Sequence, residues 1–167
     1  PVPGPVQPAL PSAWPMHQGD VGNNAVLPSL KPAGSSSLLW QQTCTAVDPL
    51  WGGGYAGSPI LVDGKLALVR DNQVQLLNAS TGEVEKAAAL AAPNGYYAYL
   101  AYGEGKLFVP LGDGRVQVFS ASTLESLFLT EGVSGMQTLS TITYRDGVFY
   151  TGFTNGSSGS RLKGYFA

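Results

Sequence analysis

A chain of 167 residues with one histidine and one cysteine has few routes to nucleophilic or metal chemistry. His17 and Cys44 are those residues, and neither has a second His or Cys nearby. A Ser-His-Asp or Cys-His arrangement would have to be built on His17, in an irregular stretch. A lone histidine reads more simply as a polar turn or surface residue. A single cysteine allows no internal disulfide. Asp63, Asp113 and Asp146 are the tempting acids, but each lies in a Gly-containing turn, where Asp is favoured for local reasons. No carboxylate pair stands out as the acid and base of a hydrolase. Gly52-Gly53-Gly54 lacks the preceding strand, the following helix and the Gly-Lys-Ser/Thr of a phosphate loop. The residues therefore point to no catalytic residue, no metal site and no cofactor.

The aromatics are the better candidates for binding. Trp51 and Tyr55 flank the triple glycine, and Tyr96 and Tyr97 follow Asn94-Gly95. Flat rings beside Asn and Gln suit a sugar or a peptide. The same rings also serve as wedges between packed sheets, and both readings stand.

What positions these residues is an internal repeat. Gly64, Gly105 and Gly147 follow Asp63, Glu104 and Asp146 at steps of 41 and 42 residues. KLALVRDNQVQLLNASTGE (65–83) aligns with KLFVPLGDGRVQVFSASTLE (106–125) if Gly114 is inserted, and VFYTGF (148–153) aligns with the start of both. Asp-Gly between Ile60-Leu61-Val62 and Leu66-Ala67-Leu68 favours a type I′ hairpin, because both turn residues tolerate positive φ. Val74 and Leu76, like Val116 and Val118, alternate with polar neighbours as half-buried strands do. Asn78-Ala79-Ser80-Thr81-Gly82 and Ser120-Ala121-Ser122-Thr123 are further turns. A fourth strand follows each. EVEKAAALAA (83–92) is rich in helix formers, but its place after the turn predicts strand and loop. Three or four antiparallel strands in roughly 40–45 residues is the pattern of a β-propeller blade. The segments before the three copies would then lie near one another at one end of an axis, with Trp51, Tyr55, Tyr96 and Tyr97 as an aromatic rim.

Ser58-Pro59-Ile60-Leu61-Val62-Asp63-Gly64-Lys65, followed by Val74-Gln75-Leu76-Leu77-Asn78-Ala79-Ser80-Thr81-Gly82, resembles the quinoprotein-type (PQQ-like) propeller repeat. Asn78 stands where that repeat has aspartate, and Leu124 replaces its glycine in the second copy. Trp14 to Asp20 resembles the opening segment of such propellers. The resemblance covers about residues 14–167. It implies the fold strongly and the function weakly, since the repeat serves enzymes, assembly factors and surface proteins alike. Quinone-dependent dehydrogenases of this type carry a vicinal cysteine pair and a calcium with carboxylate ligands. This chain has Cys44 alone.

The expected fold is thus all-β, with propeller-like blades of antiparallel four-stranded sheets in an incomplete ring. Residues 1–13, with five prolines, read as a linker, and 14–56 as an opening segment and degenerate blade. Blade repeats are expected over 57–98 and 99–139, with a partial one over 140–167. Leu38-Leu39-Trp40 is expected to be a short strand that completes the last blade. About three blades cannot close a ring of four to eight. Three explanations stand: a piece of a larger propeller, arcs from several chains completing a ring through their open blade edges, or a smaller closed sandwich.

Charged residues are 12% of the chain, about half the usual share, and the net charge is −2. That gives no electrostatic case for nucleic acid. No apolar run approaches the ~18 residues of a membrane span. Low charge and many polar turns suggest an extracellular or cell-surface protein, with signal and anchor outside this sequence, which starts at Pro1 rather than Met. Asn78 and Asn155 open glycosylation sequons by pattern, in turns that explain them without a sugar. The expected role is a non-catalytic module for protein or glycan interaction or scaffolding. The alternative is a fragment of a PQQ-dependent quinoprotein dehydrogenase.

Overall fold

The strands follow from the turns that separate them. The computed structural model describes residues 13–14, 38–42, 55–94, 99–138, 141–156 and 159–167. Asp63-Gly64 has φ of 48° and 76°, Glu104-Gly105 48° and 73°, and Asp146-Gly147 49° and 77°. All three are paired positive-φ turns, and each closes a hairpin as the repeat predicts.

The first sheet contains β1 (Ala13–Trp14), β2 (Tyr55–Val62), β3 (Lys65–Arg70), β4 (Gln73–Asn78) and β5 (Val84–Ala89), in that order. The second contains β6 (Ala101–Gly103), β7 (Lys106–Pro110), β8 (Val116–Ser120) and β9 (Ser126–Leu129), also in order. In the third, β10 (Gln137–Thr138) and β11 (Thr143–Arg145) share one edge of β12 (Val148–Thr154), and β13 (Ser160–Phe166) pairs along the other. All pairings are antiparallel, and no helix occurs among the described residues. β5 confirms the strand reading of the Ala-rich stretch.

The leading strand of every sheet is interrupted. β2 shifts register between Ala56 and Ile60, Asn94 bridges Leu111 ahead of β6, and β10 is separate from β11.

The turns closing the third strands share one backbone pattern. Gly82 N–H donates to Asn78 O at 2.8 Å, and Leu124 N–H to Ser120 O at 2.9 Å. Asn78 does the work of an aspartate, its Oδ1 accepting from Ser80 and Thr81 N–H at 2.9 and 3.1 Å. Gly82 has φ +75°, and a Cβ on it would lie 2.5 Å from the Trp40 ring. Trp40 lies flush on this turn, its Nε1–H donating to Ala79 O at 2.9 Å, while Gln42 Nε2 donates to Gly82 O at 2.9 Å. This corrects the reading of Leu38-Leu39-Trp40. Residues 38–42 form no strand and bind the closing turn of the first sheet, because the indole finds its partner on that turn. The strand added to that sheet is β1, paired through Ala13↔Val62 and Trp14↔Leu61. In the second copy no indole of the described residues covers the turn. Leu124 takes φ +60° there and buries its side chain between the first two sheets.

The core consists of two sheet-to-sheet interfaces. Ile60, Val62, Ala67, Val69, Val74 and Leu76 pack against Leu107, Val109, Phe119 and Leu124. The opposite face of the second sheet presents Phe108, Val116 and Val118 to Ile142, Tyr144 and Phe149. β7 therefore reads as nearly continuous apolar sequence, since both of its faces are covered. Tyr144, Phe108, Phe149 and Tyr165 form one aromatic column, with centroids 5.2, 4.8 and 5.1 Å apart in successive contacts. Tyr144 fits because Gly103 lies beneath it. A Cβ there would be 2.1 Å from the ring.

Candidate functional site

The acids singled out in the sequence serve turns. Asp113 accepts from Arg115 N–H at 3.2 Å and pairs with its guanidinium at 2.6 Å. That contact raises the Arg115 pKa. Asp63 and Asp146 occupy the first positions of the hairpin turns, and Asp146 pairs with exposed Arg145 at 3.2 Å. Among the described residues no three His, Cys, Asp or Glu side chains converge as a metal site would require. His17 and Cys44 lie outside the described residues, as do Trp51, Tyr96 and Tyr97. Tyr55 opens β2, its backbone opposite Arg70. The structure thus brings none of the four aromatic candidates together within its described part.

Burial and hydrogen bonding explain the two tyrosines of the core column. The Tyr144 hydroxyl accepts from Gly147 N–H at 3.0 Å. Burial, then a hydrogen bond with Glu104, raises its pKa. Burial likewise raises that of Tyr165. Both are structural groups held protonated.

The feature that asks for a partner is the outer face of the third sheet. The register Val148↔Phe166, Tyr150↔Gly164 and Gly152↔Leu162 places these residues on one face, and Phe149, Tyr165, Thr151 and Phe153 on the other. The second face is packed against the second sheet through Phe149 and Tyr165. The first is open: Leu162 is 76% exposed, Phe166 91% and Tyr150 43%. A Cβ on Gly164 would lie 2.9 Å from the Tyr150 ring, so the ring crosses the strand at the one position that lacks a side chain. An apolar surface with two large side chains exposed to water is the kind of patch that marks an interaction site. Leu162 and Tyr165 are both apolar but lie on opposite faces of β13. Counting by two along β13 separates them.

Solved structures with the same arrangement exist. A europium-containing methanol dehydrogenase superposes with a TM-score of 0.75 at 18% identity, over 93% of this chain and 30% of the other. The quinohemoprotein alcohol dehydrogenase ADHIIG from Pseudomonas putida HK5 gives 0.76 at 17%, over 93% and 25%. That from Comamonas testosteroni gives 0.66 at 18%, over 93% and 25%. The fold is an arc of a β-propeller. The chain spans between a quarter and a third of the length of these proteins. No family model and no curated protein sequence matches it.

The likeness carries the fold and not the cofactor. A vicinal cysteine pair is impossible with Cys44 alone, and no carboxylate cluster for calcium forms among the described residues. The described residues do not fit PQQ and its metal.

Proposed function

We propose that this chain is a non-catalytic interaction and scaffolding arc whose third sheet receives a further blade of the same repeat type. The open face of β12 and β13 carries the proposal. In the first two sheets the corresponding face is covered by the sheet that follows, and in the third Leu162 and Phe166 stand exposed. Burying one such side chain contributes roughly 1.5–3 kcal/mol, so a fitting blade has a strong driving force. For the isolated 167-residue chain the blade at hand is a second copy. Light scattering is expected to show a discrete oligomer, and Leu162→Asp with Phe166→Asp to return it to monomer. A folded wild-type monomer at all concentrations sinks this reading.

The surface so assembled is proposed to bind a protein or carbohydrate through Trp51, Tyr55, Tyr96 and Tyr97, outside the cell or on its surface. Low charge and polar turns support that placement. No described helix is long and apolar enough to cross a membrane. Glycan and peptide screens test it, with binding lost on Trp51→Ala or Tyr97→Ala. Failure of both screens leaves a structural role alone.

A second reading rests on the structural matches, which are dehydrogenases by name. On it, the chain is one arc of a quinone-dependent enzyme. Added PQQ and calcium would then change the absorption spectrum and support dye reduction. Silence in both measurements removes it.

A further inference from the structure

The first sheet carries an internal feature that blade packing alone does not explain. Its face away from the second sheet holds Leu66↔Leu77, Leu68↔Gln75 and Arg70↔Gln73 as cross-strand neighbours. Over this face, beneath Trp40, lies a cleft of about 370 Å³ lined by Pro59, Leu66, Leu68, Leu77 and Arg70. That volume, with a mainly apolar lining and the polar side chains of Arg70, Gln41 and Gln42, is what a small-molecule site has.

Arg70 is only 9% exposed. Its one ion pair among the described residues is with Asp71, Nε to Oδ2 at 3.7 Å, too long for a hydrogen bond. The buried Nε has no hydrogen-bond partner among the described residues. Gln75, 4% exposed and directly across from Leu68, likewise has an unpartnered Oε1. A buried guanidinium is costly unless an anion and good hydrogen bonds compensate it. Arg70 stands at a largely apolar cleft with that compensation lacking among the described residues, and a planar carboxylate is the group that best accepts from its fork.

We propose that this cleft binds a small molecule made of an apolar ring or chain and one carboxylate. The carboxylate accepts from the Arg70 guanidinium, and the apolar body lies between Trp40 and the Leu66, Leu68 and Leu77 side chains. The site lies on the first sheet, at the end of the arc away from the open face of the third.

The probe is 1-naphthoate, with its uncharged amide, 1-naphthamide, as comparator. Nitrogen-15 NMR on the 167-residue chain reads the Arg70 Nε–H and Trp40 indole resonances directly. Saturable shifts of both on adding naphthoate are expected, with naphthamide at least tenfold weaker. Arg70→Gln should erase that preference, while an unchanged amide spectrum elsewhere shows the fold intact. Equal binding of the two probes overturns the proposal, and this comparison needs no variant. Shifts confined to residues around Leu162 and Phe166, or no shift at all, overturn it too.

Discussion

Replacing Gly82 by Ala tests whether Trp40 is a staple of the fold or a bystander. Two terms act. Ala at φ +75° incurs the left-handed penalty of about 1–2 kcal/mol. Its Cβ would also stand 2.5 Å from two Trp40 ring carbons, and overpacking of that kind costs about 1–3 kcal/mol. If the indole is expelled instead, its bond to Ala79 O goes, and with it about 0.5–1.5 kcal/mol. Gly64 supplies the control. It has φ +76°, but a Cβ there would meet no heavy atom within 4 Å. Gly64→Ala therefore measures the backbone term alone, about 1–2 kcal/mol. Gly82→Ala should lose about 2–5 kcal/mol from the same terms with the ring clash added. Urea unfolding gives both numbers, and the Trp40 indole N–H resonance should move only in Gly82→Ala. Equal losses in the two variants, with that resonance unmoved, would refute the argument.

Other expected outcomes follow from the same contacts. Phe149 is fully buried between Phe108 and Tyr165, so Phe149→Ala should cost about 3–5 kcal/mol by urea unfolding. Leu162→Ala on the open face should stay within about 0.5 kcal/mol in the monomer and cost more once the face is covered. Gly114→Ala should be more harmful than Gly147→Ala at similar positive φ, because its Cβ would meet Met136 O at 2.6 Å while that of Gly147 meets nothing. Thermal melts rank the pair. The Tyr144 pKa is raised in the folded state, so the native protein holds this proton more tightly than the unfolded chain. That stability is present below the unfolded value of about 10 and is lost as pH rises through the folded one. Urea midpoints should fall above about pH 10, and less steeply in Tyr144→Phe.

Much of this fold was legible because its signals are local. Asp63-Gly64 and Asp146-Gly147 mark hairpins through two adjacent residues, and the structure gives both pairs positive φ. The strand over Val84–Ala89 was legible against its Ala-rich composition only because the repeat assigned its place. Gly114, an insertion in the alignment, acquires its reason in the third dimension, where it leaves room for the Met136 and Val133 carbonyls of the following segment. Trp40 was misread because a triplet of apolar residues looks like a strand. Its true partner, Ala79 O, is 39 residues away. Arg70 gave no signal at all, since a cation beside an aspartate in a turn looks solvated. Of the aromatic candidates, Trp51, Tyr96 and Tyr97 lie outside the described residues, and Tyr55 is placed by its backbone alone.

The two ends of the arc are not equivalent, and that gives it a direction of growth. The outer face of the first sheet is already covered at Leu68 and Leu77, which are 8% and 1% exposed, whereas that of the third is bare at Leu162 and Phe166. Repeat stability is close to a sum of each sheet and its interfaces. The second sheet has two interfaces and the third has one, so opening should begin at β13 and reach β7 and β8 last. Native-state hydrogen exchange reads this order. Amides of β7 and β8 are expected to exchange most slowly, and those of β12 and β13 to be the ones that gain protection when chains associate. Exchange that is uniform across the three sheets would mean that they unfold as one unit. The blade-by-blade account, and the open face as the place where the ring continues, would both go with it.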